Sequence, residues 1–175
     1  TFAQGATFDP SLAYMQKNFD GNSTIICGLA IQQTATQMTG EVVNNVQGGR
    51  LLTFLDGASM QVGLNILPSR QIQAVRNNNA GEGPFPAVIA TSKMTTIAVS
   101  SNAISSSSYD FLEVKVVFHG SAGSIEILRN GIAFWNPTGL NTAISGSNNC
   151  ASIIVGGGIW STRGISVVSP LQAIV

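Results

Sequence analysis

Apolar and polar residues alternate most regularly in the middle of the chain, between residues 111 and 135. Successive side chains of a β-strand point to opposite faces, so strict alternation predicts a strand with one buried face. Three antiparallel strands are predicted here, at residues 111–119, 124–129 and 132–135. In the first of them one face carries Leu112, Val114, Val116 and Phe118, and the other carries Glu113, Lys115, Val117 and His119.

Two turns set the predicted register of these strands. Asn130-Gly131 is typical of a type I′ hairpin because both residues tolerate positive φ, and a four-residue loop is predicted at residues 120–123. The predicted pairs are Leu128 with Ala133, Ile127 with Phe134, Glu126 with Trp135, Phe118 with Ile125 and Val116 with Ile127. In this register the apolar side chains share one face, on which Arg129 is the exception. A sheet with one apolar face needs a second layer to cover it.

The remaining chain alternates short apolar segments with turns rich in Gly, Asn and Pro, and no window has a helical face. Further strands are predicted at residues 23–33, 50–55, 60–66, 71–76, 87–90, 94–99, 151–155 and 164–168. Ten to twelve short strands predict an all-β fold, an antiparallel two-sheet sandwich of the jelly-roll type. Residues 1–22 lack a clean period and are predicted to be an N-terminal arm or attachment segment, with the jelly-roll domain at residues 23–175.

Composition narrows the function classes. Charged residues are 9% of the chain against about 25% in a typical domain. The net charge is zero and the eight cations are scattered, so nucleic-acid binding is not expected. No apolar run approaches 18 residues and the N-terminus does not resemble a signal peptide, so no membrane insertion is expected. Cys27 and Cys150 lie in apolar segments and are expected to be buried free thiols, with a disulfide as the less favoured alternative.

Catalytic chemistry finds little support in the sequence. The one histidine, His119, is predicted to be exposed and structural, and no Gly-x-Ser-x-Gly motif occurs. A glycosidase needs two carboxylates about 5 to 9 Å apart. The eight acids contain no pair two residues apart on one strand, although distant strands could assemble one: Asp9, Asp20, Glu41, Asp56, Glu82, Asp110, Glu113 and Glu126. We therefore expect no enzyme activity, no cofactor and no metal.

Several motifs, in this order and spacing, resemble the concanavalin A-like or laminin G-like jelly-roll domains of tailed-bacteriophage virion proteins. They are Tyr109-Asp-Phe-Leu-Glu-Val-Lys-Val, Gly123-Ser-Ile-Glu-Ile, Arg129-Asn-Gly131, Thr138-Gly-Leu-Asn-Thr142 and Ile153-Ile-Val-Gly-Gly157. The resemblance covers about residues 24–157. It implies a two-sheet jelly roll on a phage particle. The chain departs from the family at residues 1–22 and in its last residues, 169–175, which lack the usual acidic closing strand.

Two functions follow as expectations. The first is a non-enzymatic structural protein displayed on the virion surface, as a capsid decoration, a head fibre or spike, or a tail adhesin. Other virion proteins are then its partners, and a homo-oligomer is expected, a trimer by analogy. The alternative is a lectin-like module for a host-surface glycan, with Trp135, Trp160 and Tyr109 as candidate contacts. Trp135 is predicted on the outer face, where packing under the N-terminal arm or a neighbouring subunit is the favoured interpretation.

Overall fold

A computed structural model describes residues 6–7, 15–33, 41–43, 46–57, 59–77, 94–144, 147–155, 165–167 and 172–174. These residues form strands and turns. None of the described ranges contains a helix long and apolar enough to cross a membrane. The strands are β1 (Ala6–Thr7), β2 (Met15–Asn22), β3 (Thr24–Gln33), β4 (Glu41–Val43), β5 (Val46–Asp56), β6 (Ser59–Ile66), β7 (Gln71–Asn77), β8 (Met94–Ala103), β9 (Asp110–Val117), β10 (Gly123–Arg129), β11 (Ile132–Trp135), β12 (Thr138–Leu140), β13 (Cys150–Val155), β14 (Ile165–Val167) and β15 (Gln172–Ile174).

The strands form two antiparallel sheets. The first has the order β1-β14-β3-β9-β10-β11, with β12 beside β10 and β15 beside β3. The second has the order β2-β13-β5-β6-β7-β8, with β4 beside β5. The predicted all-β, two-sheet antiparallel sandwich is therefore confirmed. The predicted strand at residues 87–90 lies outside the described residues.

The central strands β9, β10 and β11 have the predicted faces. Leu112, Val114 and Val116 are fully buried, whereas Glu113 is exposed. Lys115 pairs with Glu126 on the outer face, with 3.8 Å between the ammonium and the carboxylate. Alternation alone placed these side chains correctly, because one face of the sheet meets the core.

The register between β9 and β10 differs from the predicted one by two residues. Val116 pairs with Ile125 instead of Ile127. The strands separate earlier than predicted because Thr142 occupies their ends: its hydroxyl donates to the carbonyl of Val117 (2.7 Å) and accepts from the amide of His119 (3.0 Å). A shift of two residues preserves the faces, so the core is unchanged.

The β10–β11 hairpin has the predicted turn and an unpredicted bulge. Asn130 and Gly131 have φ of 53° and 79°, and Leu128 pairs with Ala133 as predicted. Beyond this pair Ile127 lies opposite Trp135, leaving Phe134 as an extra residue. The prediction that Trp135 lies opposite Glu126 on the outer face is therefore wrong. Trp135 is half-buried and packs against the core, because an inserted residue reorients the side chains that follow it.

The second sheet is buried on both faces at its centre. The predicted strand at residues 60–66 is present as part of β6, and its polar residues Gln61 and Asn65 are buried together with its apolar ones. Hydrogen bonds satisfy part of this buried polarity: Asn65 Nδ2 donates to Gln73 Oε1 (3.0 Å), and Gln61 Nε2 donates to the carbonyl of Asn149 (3.1 Å). Oδ1 of Asn65 is buried without a partner among the described residues. A small apolar cluster separate from the main core consists of Leu55, Met60, Val75, Met94 and Ile154.

The main core lies between the sheets. Phe118, just after β9, meets Phe54 of β5 with 5.8 Å between the ring centroids. Cys27 and Cys150 are buried free thiols, as predicted. Burial raises the pKa of each thiol from 9.0 to about 12.

The N-terminal segment contributes to the second sheet. Residues 15–22 form β2, which pairs with β13 from Met15 opposite Val155 to Asn22 opposite Cys150. This part of the predicted arm at residues 1–22 is thus hydrogen-bonded to the jelly roll. An attachment role for the segment stays a prediction.

Candidate functional site

An open groove of about 390 Å³ lies where the edge strands of the two sheets meet. β8 is the edge strand of the second sheet, and β11 is the last strand in the order of the first. The groove is lined by Asn102, Ala103, Arg129, Asn130, Ile132, Ala133 and Phe134. Its walls therefore combine a guanidinium, two amides and apolar side chains, a mixture that suits a small polar ligand.

Arg129 is the cation of this groove. It falls on the apolar face, as the sequence predicted, and its guanidinium lies 5.5 Å from the centroid of the Phe134 ring. Nη1 donates to the carbonyl of Ala103 (3.0 Å), and Nε lies 3.8 Å from Oδ1 of Asp110. Among the described residues Nη2 has no partner, so this group can donate to a ligand.

Asp110 is a buried carboxylate behind Arg129 that bonds to several parts of the site. Its side chain is 5% exposed, whereas that of Arg129 is 38% exposed. Oδ2 accepts from the amide of Ser105 (2.6 Å), and Oδ1 accepts from Nδ2 of Asn130 (3.3 Å). One buried carboxylate thus fixes the serine-rich turn before β9, the hairpin turn and the arginine. Such a carboxylate positions its neighbours and does not face the ligand.

Three large apolar side chains in β9, just before it and in β11 are exposed, and one of them, Ile132, lines the groove. Tyr109, Phe111 and Ile132 are 50%, 45% and 73% exposed. Asn130 is bonded to the backbone of Phe111: its Oδ1 accepts from the amide of Phe111 (2.8 Å), and its backbone amide donates to the carbonyl of Phe111 (2.8 Å). Half-exposed aromatic rings beside polar groups are a common feature of surfaces that bind polar ligands with apolar patches.

The ring of Phe111 lies against Gly28 of β3. A Cβ built on Gly28 would approach Cζ of Phe111 to 2.9 Å, closer than real contacts. The glycine therefore lets the ring rest on the neighbouring strand. This contact holds the ring over β3, on the side of β9 away from β10 and β11, so Phe111 does not line the groove.

The predicted contact residues are not all brought together. Tyr109 lies next to Asp110 at the groove end of β9. Trp135 is half-buried at the far end of β11 and does not line the groove. Trp160 lies outside the described residues. Reasoning from the sequence missed Arg129 and Asn102 as site residues. A signal was present for Arg129, because it was the single charged residue on an apolar face.

The acidic residues on the outer face of the first sheet form no enclosed pair. Glu113 and Glu126 lie on one face of the neighbouring strands β9 and β10. Glu113 is exposed, and Glu126 faces Lys115 on an open surface. A glycosidase holds its two carboxylates on either side of a bond in a cleft, whereas these two lie on an open sheet face.

The side chain of His119 bonds to the backbone of the turn that follows it. The side chain is exposed, and Nδ1 accepts the amides of Ser121 (3.1 Å) and Ala122 (2.9 Å). The ring therefore caps its own turn, as a structural residue would. Within the part of the chain that the structure describes, no group of three or more His, Cys, Asp or Glu side chains could hold a metal ion.

Comparison with known proteins shows which solved structures have a similar fold. No protein-family model and no curated protein sequence matches the chain. A Caenorhabditis elegans galectin is similar over 100% of this chain and 99% of its own, with 12% identity and a TM-score of 0.51. The carbohydrate-binding module CBM40 of a Ruminococcus gnavus IT-sialidase, solved with α2,3-sialyllactose, is similar over 91% and 90%, with 11% identity and a TM-score of 0.52.

A sialidase is also similar, with 8% identity and a TM-score of 0.52. The match covers 92% of this chain but 14% of the sialidase. At these identities the similarity defines the fold. The chain is an all-β jelly roll of the concanavalin A and galectin type, a class that includes carbohydrate-binding modules.

Proposed function

We propose that this protein is a non-enzymatic, lectin-like domain that binds a glycan in the groove between β8 and β11. The observation that carries the proposal is Arg129, a half-exposed guanidinium that is fixed on three sides and has Nη2 directed to no described residue. A preorganised donor loses little conformational entropy when it binds a hydroxyl group.

The surroundings of Arg129 support a sugar as the ligand. Asn102 and Asn130 supply amides that can bind hydroxyls, while Ile132 supplies apolar surface. Tyr109 is a half-exposed aromatic residue directly before Asp110, the carboxylate that pairs with Arg129. Sugars have hydroxyl edges and apolar faces, so they suit a site with both kinds of side chain. The similar sialidase CBM40 was solved with a glycan bound, which supports this use of the fold.

A glycan array followed by calorimetric titration tests the proposal. We expect a bound glycan, and we expect Arg129→Met to raise its Kd about tenfold or more, through loss of a charged hydrogen bond. Met retains apolar contact with Phe134. Lys115→Met is the matched control, because Lys115 forms a partly exposed ion pair on the outer face of the first sheet, and it should leave Kd unchanged. Absence of binding at about 1 mM glycan would refute the proposal.

The location of the domain is a second proposal. The motif resemblance over about residues 24–157 and the low charge, 9% of residues, support a domain displayed on a phage particle with other virion proteins as partners. In such a position, glycan binding would be directed at the host surface, and a homo-oligomer, a trimer by analogy, would present several grooves.

Mass spectrometry of purified phage particles tests this location. Peptides of this chain should be found in gradient-purified particles of the phage that encodes it, at a level comparable to other structural proteins. Their presence in the lysate but not in the particles would contradict it. Light scattering of the isolated protein measures the oligomeric state.

A further inference from the structure

We infer that the groove takes a neutral glycan and that a carboxylate on the sugar weakens binding. The inference rests on the proposed function of the groove as a glycan site. It concerns the class of ligand, which the charge and the hydrogen-bonding groups of the groove determine.

The positive charge of Arg129 is already compensated inside the protein. Asp110 places a carboxylate 3.8 Å from Nε, and the Phe134 ring lies 5.5 Å from the guanidinium carbon. Arg129 is the single cation among the described residues that line the groove. The Arg129–Asp110 pair has no net charge, so an incoming carboxylate gains attraction to one partner and meets repulsion from the other.

The uncommitted polar groups suit hydroxyls. The side-chain amide of Asn102 is exposed and makes no hydrogen bond to the described residues, so it offers one acceptor and two donors. A hydroxyl can donate to Asn102 Oδ1 and accept from Arg129 Nη2. A carboxylate has no proton to donate, so it cannot form the hydrogen bond to Asn102 Oδ1 that a hydroxyl can.

Matched pairs of oligosaccharides test the inference. Neutral oligomers of glucose, galactose, mannose and N-acetylglucosamine would be titrated beside counterparts that carry a uronate or a sialic acid. We expect a neutral member to bind about fivefold more tightly than its acidic counterpart. Its Kd should change less than about twofold between about 50 and 500 mM NaCl.

The outcomes separate the two proposals. Preference for the acidic members, with affinity that falls steeply with salt, would overturn the neutral-ligand inference and leave glycan binding in place. Equal affinity for the two members of each pair would overturn it as well. Failure of every member to bind would refute the proposed function itself.

Two variants show whether the effect arises in the groove. Asn102→Asp removes both amide donors and adds an anion, so it should weaken neutral-glycan binding about tenfold. Asn148→Asp is the same change at an exposed residue at the other end of the second sheet. Two contacts show that the positions are far apart. Ser147, the neighbour of Asn148, bonds to Asp56 at the end of β5, next to the β5–β6 turn. Ala103, the neighbour of Asn102, pairs with Gln71 at the start of β7, next to the β6–β7 turn at the opposite end of β6. Equal affinity of Asn102→Asp and the unmodified protein would exclude the groove as the site.

Discussion

Asp110 shows how one buried residue can connect stability with a surface site. Its carboxylate accepts two hydrogen bonds and faces a guanidinium, while its backbone belongs to the first residue of β9. A buried carboxylate is costly unless such partners compensate its desolvation. The partners are therefore held in place by the same interactions that stabilise the charge.

Replacing Asp110 should destabilise the protein. Asp110→Ala leaves the amide of Ser105 and the guanidinium of Arg129 without their acceptor, so the free energy of unfolding should fall by about 2 to 4 kcal/mol. Urea denaturation measures the change. Glu113→Ala, an exposed acid on the same strand, is the control and should change stability by less than about 0.5 kcal/mol. A similar loss in the two variants would contradict the role of Asp110.

The raised pKa values of the two thiols lead us to expect that the stability of the protein depends on pH. Each has a pKa raised from 9.0 to about 12 in the folded protein, chiefly by burial. The folded state therefore holds its thiol protons above pH 9 while the unfolded state loses them. Stability is fully present below about pH 9 and falls as the pH rises towards 12, by up to about 1.4 kcal/mol per pH unit for each thiol.

Denaturation midpoints from pH 8 to pH 10.5 would test this dependence. A variant with both Cys27→Ala and Cys150→Ala should start less stable, because the changes leave small cavities, but its stability should fall less steeply with pH. Parallel pH profiles for the variant and the unmodified protein would show that the thiols do not cause the decline.

At the scale of an element, the β10–β11 hairpin reverses the chain at the edge of the first sheet and also supplies most of the residues that line the groove. Asn130 and Gly131 have positive φ, which reverses the chain in the sense that twisted antiparallel strands require. The turn places Arg129 and Ile132 on its two sides, where they line the groove. A change of turn geometry should therefore affect stability and glycan binding together.

Gly131→Ala should destabilise the hairpin by about 1 kcal/mol, because an L-residue is strained at a φ of 79°. Gly120→Ala is the matched control in the β9–β10 turn. A Cβ on Gly120 would meet nothing within 4 Å, and this glycine does not have positive φ. It should be neutral or slightly stabilising. Equal melting temperatures for the two variants would contradict the turn assignment.

At the scale of the whole molecule, the two sheets are held together by large apolar side chains that meet between them. Phe118 of the first sheet and Phe54 of the second are fully buried and in edge contact, with an interplanar angle of 58°. This geometry is favourable for aromatic pairs. The pair therefore joins the layers near the loop end of β9.

Phe118→Ala should lower the free energy of unfolding by about 3 to 5 kcal/mol, because it leaves a cavity between the sheets. Phe111→Ala, at a half-exposed ring seven residues earlier, should cost less than about 1.5 kcal/mol. Guanidinium denaturation distinguishes them. If Phe111→Ala were the more damaging of the two, the assignment of the core to the space between the sheets would be wrong.

The sequence by itself determined the faces of β9 and β10, the Asn130-Gly131 turn and the burial of both cysteines. These features depend on neighbouring residues or on burial alone, so they can be derived from alternation, φ preference and hydropathy. The apolar face of these strands, together with ten to twelve short strands along the chain, sufficed to predict a two-sheet sandwich.

The tertiary structure decided the register at Thr142, the bulge at Phe134 and the composition of the groove. Each depends on contacts between residues far apart in the chain, such as the hydrogen bond from Arg129 to Ala103, 26 positions away. The alternation of one strand contains no information about which distant side chain will occupy its end. The site could therefore be located only after the edge strand β8 of one sheet had been placed beside the β10–β11 hairpin of the other.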